Sequence, residues 1–353
     1  MDFDRNELAV AVTHAAGGIP NNPVPPVRAG MLIYPGPDGA SFSGSDGDVT
    51  FTGTTGTSID EKVVVPGKLF ADVVRTLPDS DVNLTVNRDH VVLKCSRVKF
   101  TFPIIPGEYP QLPLPAQPCG ELEAEIFGET VRKVVPACSR TGSQPALSAV
   151  RFEPDGTRFL AAGTDRYRLA AAQCEWKPAP GAPSPEAACL VPSWAADRFT
   201  RTAAGMMELG WDDRVVSLRS EHLSVVSRLI SGEWPKGWRR LLEPQTCPVE
   251  VATGPLLAAL KRASLAAELN QPVELVFTAG RLTVEAGDMN TASDVLDASH
   301  TGDEFRVLFG IGFLTDGLAG CGATCSFGFT APDKPVCIAS GSYMYTILPR
   351  KRM

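Results

Sequence analysis

Four histidines, at positions 14, 90, 222 and 300, are the first candidates for proton transfer or metal ligation, and each stands alone in the sequence. No His-Glu-x-x-His run places two imidazoles on one helix face. No Gly-x-Ser-x-Gly elbow presents a nucleophile, and no Gly-x-x-x-x-Gly-Lys-Ser/Thr loop offers backbone amides to phosphates. Gly17 and Gly18 lead into Ile19 and Pro20 rather than into a helix. Asp165, within Thr-Asp-Arg-Tyr-Arg, and the pair Asp212-Asp213 have settings that could serve acid/base work. Short carboxylates followed by turn-forming neighbours more often accept backbone N–H bonds, so a turn cap and a hairpin turn are the favoured readings. The nine cysteines (95, 119, 138, 174, 189, 247, 321, 325 and 337) are odd in number and scattered, with no Cys-x-x-Cys pair. They read as reduced thiols packed as small hydrophobes, not as a disulfide framework. Cys321 and Cys325 have a spacing a metal site could use, but no histidine nearby completes one. The expectation is a protein with no catalytic residue, no metal and no cofactor; a β-rich hydrolase would have no site to carry its reaction.

Cations are a different matter. The chain carries a net charge of −7, which by itself counts against a polyanionic partner. Six helix candidates (4–16, 66–77, 126–140, 192–204, 255–267 and 311–320) nevertheless sum to +4, leaving −11 elsewhere. Lys68, Arg75, Arg132, Lys133, Arg140, Arg198, Arg201, Lys261 and Arg262 are the cations of these segments that could face a polyanion. An acidic exterior with basic helices suits a protein that turns those helices toward phosphates. Ordinary solvated helix faces account for the same numbers, because Lys and Arg are common surface helix formers. Both readings stand on charge alone.

The elements that must position these side chains repeat along the chain. With 353 residues, 44% of them hydrophobic, two or three domains are expected. No run of about 18 apolar residues occurs, and the first twenty residues lack a basic region followed by an apolar stretch, so the expectation is a soluble cytoplasmic protein without membrane contact. Residues 84–110 (LTVNRDHVVLKCSRVKFTFPIIPGEYP) and 209–235 (LGWDDRVVSLRSEHLSVVSRLISGEWP) have the same length and both close on Ile-x-Gly-Glu-aromatic-Pro. Each alternates apolar runs with Asp/Asn turns, the pattern of antiparallel hairpins. A shorter third copy is read in CSFGFTAPDKPVCIASGSYMYTILP. Upstream of each copy a strand enters a helix (63–78, 189–205, 307–322), with Pro at the first helical turn in the first two. Further upstream lie helices at 5–16, 126–140 and 255–267, then strands bearing Gly-Ser-Asp (44–46), Gly-Thr-Asp (163–165) and Ala-Gly-Asp (286–288). Proline-rich linkers fall at 111–119 and 242–248, and the Pro/Ala stretch 177–188 reads as a loop inside the second unit. The fold class is α+β, three similar units each with two helices on antiparallel sheets, bounded at 1–118, 119–245 and 246–353.

The stretch ALSAVRFEPDGTRFLAAGTDRYRLAAAQ (146–173) resembles the signature of the bacterial DNA polymerase III β subunit, the β sliding clamp, and its Thr-Asp-Arg-aromatic-Arg-Leu-Ala form looks like the actinobacterial branch. VVVPGKLFADVVRTLP, IIPGEYP, RLISGEWP, WRRLL and the closing YTILPRKRM extend the resemblance essentially end to end. It implies a DNA clamp fold, a six-domain ring built as a head-to-tail homodimer, and a non-catalytic processivity factor that slides on duplex DNA without sequence preference. Partners would be DNA polymerase III α subunit, clamp loader and repair proteins, each offering a short linear motif.

By that resemblance the client-peptide pocket falls on Leu147, Thr164, Arg166, Tyr167, Arg168, Leu169, Pro235, Arg240, Leu241, Gly310, Phe313, Pro335, Ile347, Leu348, Pro349 and Arg350. Apolar walls with a few polar groups suit Leu or Phe anchors and a Gln. Leu169, Leu241 and Ile347 read equally well as core, whereas Arg166, Tyr167 and Arg168 read as an exposed cluster. The dimer contact falls on Phe100 and Phe102 of an edge strand, flanked by Arg97 and Lys99, and on Leu265 of a helix. Three positions depart from the family. Asn22 stands where relatives carry a loop Arg that reaches DNA; Lys236-Gly237 is one residue longer than in relatives; and Gly310 replaces a polar Asn found in some. They motivate an alternative, a divergent second clamp giving tolerance to a clamp-binding cyclic peptide antibiotic.

Overall fold

The computed structural model describes residues 1–23, 25–141, 144–180, 188–243, 248–267, 271–287 and 290–351. Cys247, Asp288, residues 181–187 of the Pro/Ala stretch, residues 244–247 of the second linker, and Arg352 and Met353 of the closing segment lie outside the described residues. Six α-helices are described: α1 (Arg5–Ala15), α2 (Gly67–Arg75), α3 (Ala124–Val134), α4 (Ser193–Thr200), α5 (Thr253–Ala266) and α6 (Ile311–Leu318). No helix among the described residues is long and apolar enough to cross a membrane.

The chain divides into two compact units. The first comprises residues 1–128 and 176–229. Its smaller sheet orders Asp2–Phe3, Val82–Val86, His90–Cys95 and Val98–Pro103, the last three being the predicted hairpins of the first repeat. Its larger sheet has nine antiparallel strands, in which Leu223–Arg228 of the second repeat pairs with Val49–Thr55, Val225 opposite Phe51. The sheet therefore runs on from the first third of the chain into the middle third.

Helix α1 starts where Asp4 Oδ1 accepts from the backbone N–H of Asn6 (2.9 Å) and Glu7 (2.8 Å), satisfying two donors that the helix cannot. Its buried side crosses the large sheet so closely that a Cβ at Gly53 would sit 2.4 Å from Ala11 Cα, and one at Gly44 2.2 Å from Ala15 O. Only glycine permits that approach. The core beneath joins Phe3, Leu8, Val12, Phe42, Phe70, Leu84, Leu93 and Phe102. Pro66 and Pro192 cap α2 and α4 from one residue before the first helical position, one step earlier than predicted.

The second unit comprises residues 129–175 and 230–353. Ala292–Asp297, Arg281–Ala286, Pro272–Thr278 and Phe305–Gly310 form one four-stranded sheet in that order. Another sheet runs through Ala149–Asp155, Arg158–Thr164, Arg168–Glu175, Tyr343–Ile347, Val336–Ser340, Thr324–Gly328 and Val249–Ala252. Here the middle third joins the last, Ala170 opposite Tyr345. The helix expected over 126–140 ends at Val134 and tightens to a 3₁₀ turn, Val135–Ala137, because Pro136 cannot donate. Arg140 consequently lies beyond the helix. Helix α5 begins two residues before the expected Pro255.

Candidate functional site

Within the second unit a tight turn, Thr164–Arg168, links strands Arg158–Thr164 and Arg168–Glu175. Asp165 Oδ1 accepts from the N–H groups of Tyr167 (3.0 Å) and Arg168 (3.1 Å), and Thr164 Oγ1 donates to Arg168 O at 2.6 Å. Arg166 takes φ +79°, a left-handed conformation that an L side chain adopts only when its surroundings enforce it. Asp165 is thus the turn cap expected of it. Asp212 likewise caps its hairpin, accepting from Arg214 N–H (2.7 Å) and Val215 N–H (2.8 Å).

The turn sorts its three large side chains. Tyr167 is 63% exposed and Arg166 is exposed, but Arg168 is buried, which corrects the expectation of an exposed trio. Arg168 Nε donates to Asp165 (2.9 Å) and Nη1 to Asp316 of α6 (2.6 Å), while the guanidinium carbon lies 4.2 Å over the Phe313 ring. Burial works against the charge; the bonds with Asp316, Tyr345 and Asp165 more than offset it, raising the Arg168 pKa and keeping it cationic. Tyr345, pushed up chiefly by burial, donates its hydroxyl to Phe313 O at 2.7 Å. Asp316 and Tyr345 were not anticipated, although a lone Asp in the apolar segment Ile311–Leu318 is the signal that could have found the first.

Other predicted pocket residues join this centre through backbone bonds. Leu348 N–H donates to Tyr167 O (2.9 Å), Arg350 N–H to Leu308 O (2.7 Å), and Thr346 Oγ1 to Leu241 O (2.5 Å). Ile347 pairs across the sheet with Arg168, and with Val336, the residue after Pro335. A Cβ at Gly310 would approach Arg350 Nε to 3.6 Å, so glycine leaves space beside that guanidinium. Leu147, Thr164, Leu169 and Ile347 are buried supports; Leu241, Leu348, Arg240 and Arg350 are exposed, and Pro235, Phe313, Pro335 and Pro349 half-buried. Gly237 takes φ +71°, ψ 9° and starts the 3₁₀ helix Trp238–Leu242 that carries Arg240 and Leu241. The unusual backbone turn that a glycine at 237 permits is therefore present.

The cations fall into separate groups. In the first unit Arg198 is held below the usual arginine value by burial and by the charges of Arg201 and Arg75. Lys68 is exposed and donates to Asn21 Oδ1 (2.7 Å) and Pro20 O (3.3 Å), tying down the loop that carries the exposed Asn22. In the second unit Arg132, Arg140, Lys261 and Arg262 are exposed and Lys133 half-buried. Arg262 is occupied by Asp294 through bonds of 2.8 and 2.9 Å.

Of the expected dimer contacts, Phe102 is corrected. It is 1% exposed, packed edge-on to Phe70 in the core, while Phe100, stacked on it at 6.1 Å, is 40% exposed. Leu265 on α5 is 84% exposed. Among the described residues no cluster of three or more His, Cys, Asp or Glu could hold a metal. Hydrogen bonding with Cys325 and burial push the Cys321 thiol up, and the same bond draws the Cys325 thiol down.

Comparison with known proteins places these features in one family. Models of the N-terminal, central and C-terminal domains of the DNA polymerase III beta subunit match residues 1–113, 121–236 and 242–349. The beta sliding clamp of Streptomyces coelicolor is 32% identical, with 98% of this chain and 97% of the relative covered. A beta sliding clamp homolog named GriR, from Streptomyces muensis, is 29% identical over 94% of this chain and 91% of its own. Among solved structures, the Bacillus subtilis sliding clamp superposes with a TM-score of 0.87 at 21% identity, covering 100% of this chain and 99% of that one. A Pseudomonas aeruginosa clamp bound to griselimycin gives 0.89 at 18% identity, with 100% and 99% covered. The chain belongs to the DNA polymerase III beta subunit family, and its three-domain fold is that of the sliding clamps.

Proposed function

We propose that this clamp closes as a head-to-tail homodimer around duplex DNA and holds replication proteins by short peptides seated around Tyr167, Phe313, Gly310, Leu241 and Leu348, with three domains bounded near residues 118 and 245. The observation that carries closure is a pair of dissimilar sheet edges. Strand Val98–Pro103 ends the small sheet of the first unit with Lys99 and Phe100 exposed, and strand Ala292–Asp297 ends the small sheet of the second with Val295 and Asp297 exposed. Opposite charge beside apolar side chains suits one edge meeting the other on a second copy, a heterologous contact that closes into a ring. Leu265 flanks the second edge, and the nine helical or near-helical cations would meet phosphates weakly and without sequence preference. Clients would be the DNA polymerase III α subunit, clamp loader and repair proteins, and the setting is the bacterial cytoplasm. The mechanism is topological and asks for no catalytic group.

The test is retention on DNA. Protein loaded by a clamp loader onto nicked circular DNA should stay bound, and linearisation should release it; retention indifferent to topology would defeat the ring.

A second reading, a divergent clamp that tolerates a cyclic peptide antibiotic, draws support from the left-handed Gly237, the space at Gly310 beside Arg350, and likeness to a relative named GriR. Measured against an ordinary clamp, it should keep affinity for a client peptide while losing affinity for griselimycin. Parallel affinities for both ligands would remove this reading.

A further inference from the structure

On α4, Trp194, Arg198 and the C-cap residue Arg201 recur at intervals of four and three, which places them on one face. Trp194 is 46% exposed although it is among the largest apolar side chains. One ring face lies on the buried Phe51, centroids 5.8 Å apart and planes 27° apart. Phe51 is held in turn by the edge of His14 at 5.1 Å, so the indole rests on a packed support while nearly half of its surface stays open. Nothing about packing requires that exposure, and an exposed tryptophan on a firm base marks a contact surface.

The charges beside it specify the partner. Arg201 is paired with Asp197 at 2.7 Å, and Arg75 with Asp72. Arg198 has no carboxylate partner among the described residues, and its stem lies across Gly17, where a Cβ would meet Nε at 2.0 Å. A guanidinium that faces other guanidinium groups is relieved by a polyanion. Cations along one helix face with an open indole among them are the combination that holds a strand whose bases are unstacked: phosphates on the arginines, a base on the ring.

We propose that the Trp194 ring, with Arg198 and Arg201, is a stacking site for an unpaired nucleobase, so that this clamp recognises single-stranded DNA beside the duplex, as at a primer–template junction. A base in a duplex is already stacked on both faces and cannot use the indole; a base in an overhang can. This rests on the reading that the helices face DNA and adds to it a preference for junctions.

The experiment compares full-length wild type with Trp194→Leu and Trp194→Phe by fluorescence anisotropy on three labelled DNAs at fixed salt: a blunt duplex, the same duplex with a 5′ overhang, and that overhang made abasic. Trp194→Leu should bind the normal overhang about tenfold more weakly than wild type. It should match wild type within about twofold on the blunt and abasic DNAs, and Trp194→Phe, which keeps a ring, should recover most of the loss. Equal losses on all three DNAs, or none on the normal overhang, would overturn the proposal. If Trp194→Leu melts early, Trp194→Phe decides: it must still distinguish normal from abasic overhang. Retention of wild type on circular DNA is measured alongside. Retention with a flat overhang comparison sinks only this inference, whereas lost retention sinks the clamp reading itself.

Discussion

Arg168 Nη1 bonds Asp316 Oδ2 at 2.6 Å, tying the turn after strand Arg158–Thr164 to helix α6 of the C-terminal region. The same guanidinium supports the Phe313 ring, so one buried cation sets both the turn and the aromatic wall of the proposed pocket. Arg168→Met should cost about 3 kcal/mol, since Asp165 and Asp316 would be left facing each other without their cation. Asp316→Asn should cost only about 1 kcal/mol, because Asp165 still compensates Arg168 and Asp316 is partly solvated. Urea unfolding gives the stabilities. Anisotropy of a labelled client peptide with Leu and Phe anchors should show both variants binding more weakly, with the loss at Asp316→Asn exceeding its effect on stability.

Gly237 has φ +71° and open space where a Cβ would go, so Gly237→Ala introduces strain without a clash. The strain costs about 1 kcal/mol, carried by the loop leading to Arg240 and Leu241. Thermal stability should fall by only a few degrees while client-peptide affinity falls measurably. A variant with unchanged affinity would remove this loop from the binding surface.

His14 should give the protein a pH-dependent stability. Burial lowers its pKa to about 4, and its Nε2 donates to Ser224 O at 3.0 Å while Nδ1 faces Thr202 Oγ1 at 2.9 Å. Above pH 6.5 the imidazole is neutral in both folded and unfolded chains and costs nothing. As pH falls through 6.5 toward 4 the unfolded chain takes up the proton first, so stability drops, by about 2 kcal/mol between pH 7 and pH 5. Urea melts of wild type and His14→Gln at the two pH values measure it: the variant starts less stable and should lose less on acidification.

Much of this was legible because repetition and turn chemistry are local. The paired segments closing on Ile-x-Gly-Glu-aromatic-Pro announced the hairpins, and Asp165 and Asp212 cap turns as short carboxylates do. Burial was not legible at Arg168, whose partner Asp316 lies 148 residues away in the chain. Nor was the division between Phe100 and Phe102. Alternation puts both on one face of the strand, but only the extent of the sheet and helix α2 decides where cover ends. Helix starts differ from the predicted ones where proline marks them: Pro66 and Pro192 precede their helices, whereas Pro255 lies inside α5.

The division between the two phenylalanines separates assembly from folding. Phe102→Ala empties a core site against Phe70 and should destabilise the protein by about 3 to 5 kcal/mol at any protein concentration. Phe100→Asp acts at the surface. It should cost the separated chain about 1 kcal/mol, for the lost stacking on Phe102, well below the cost of Phe102→Ala, while placing a carboxylate opposite the acidic edge Ala292–Asp297 of a second copy, where like charges repel. Leu265→Asp should weaken the same contact from the other side, because Leu265 is 84% exposed and its replacement removes little buried surface. Sedimentation over a micromolar concentration range should show wild type as a dimer and both surface variants shifted toward monomer, with retention on circular DNA lost in step. A Phe100→Asp protein that remains dimeric would place the contact elsewhere, whereas a dimer lost only in Phe102→Ala would report unfolding rather than an interface.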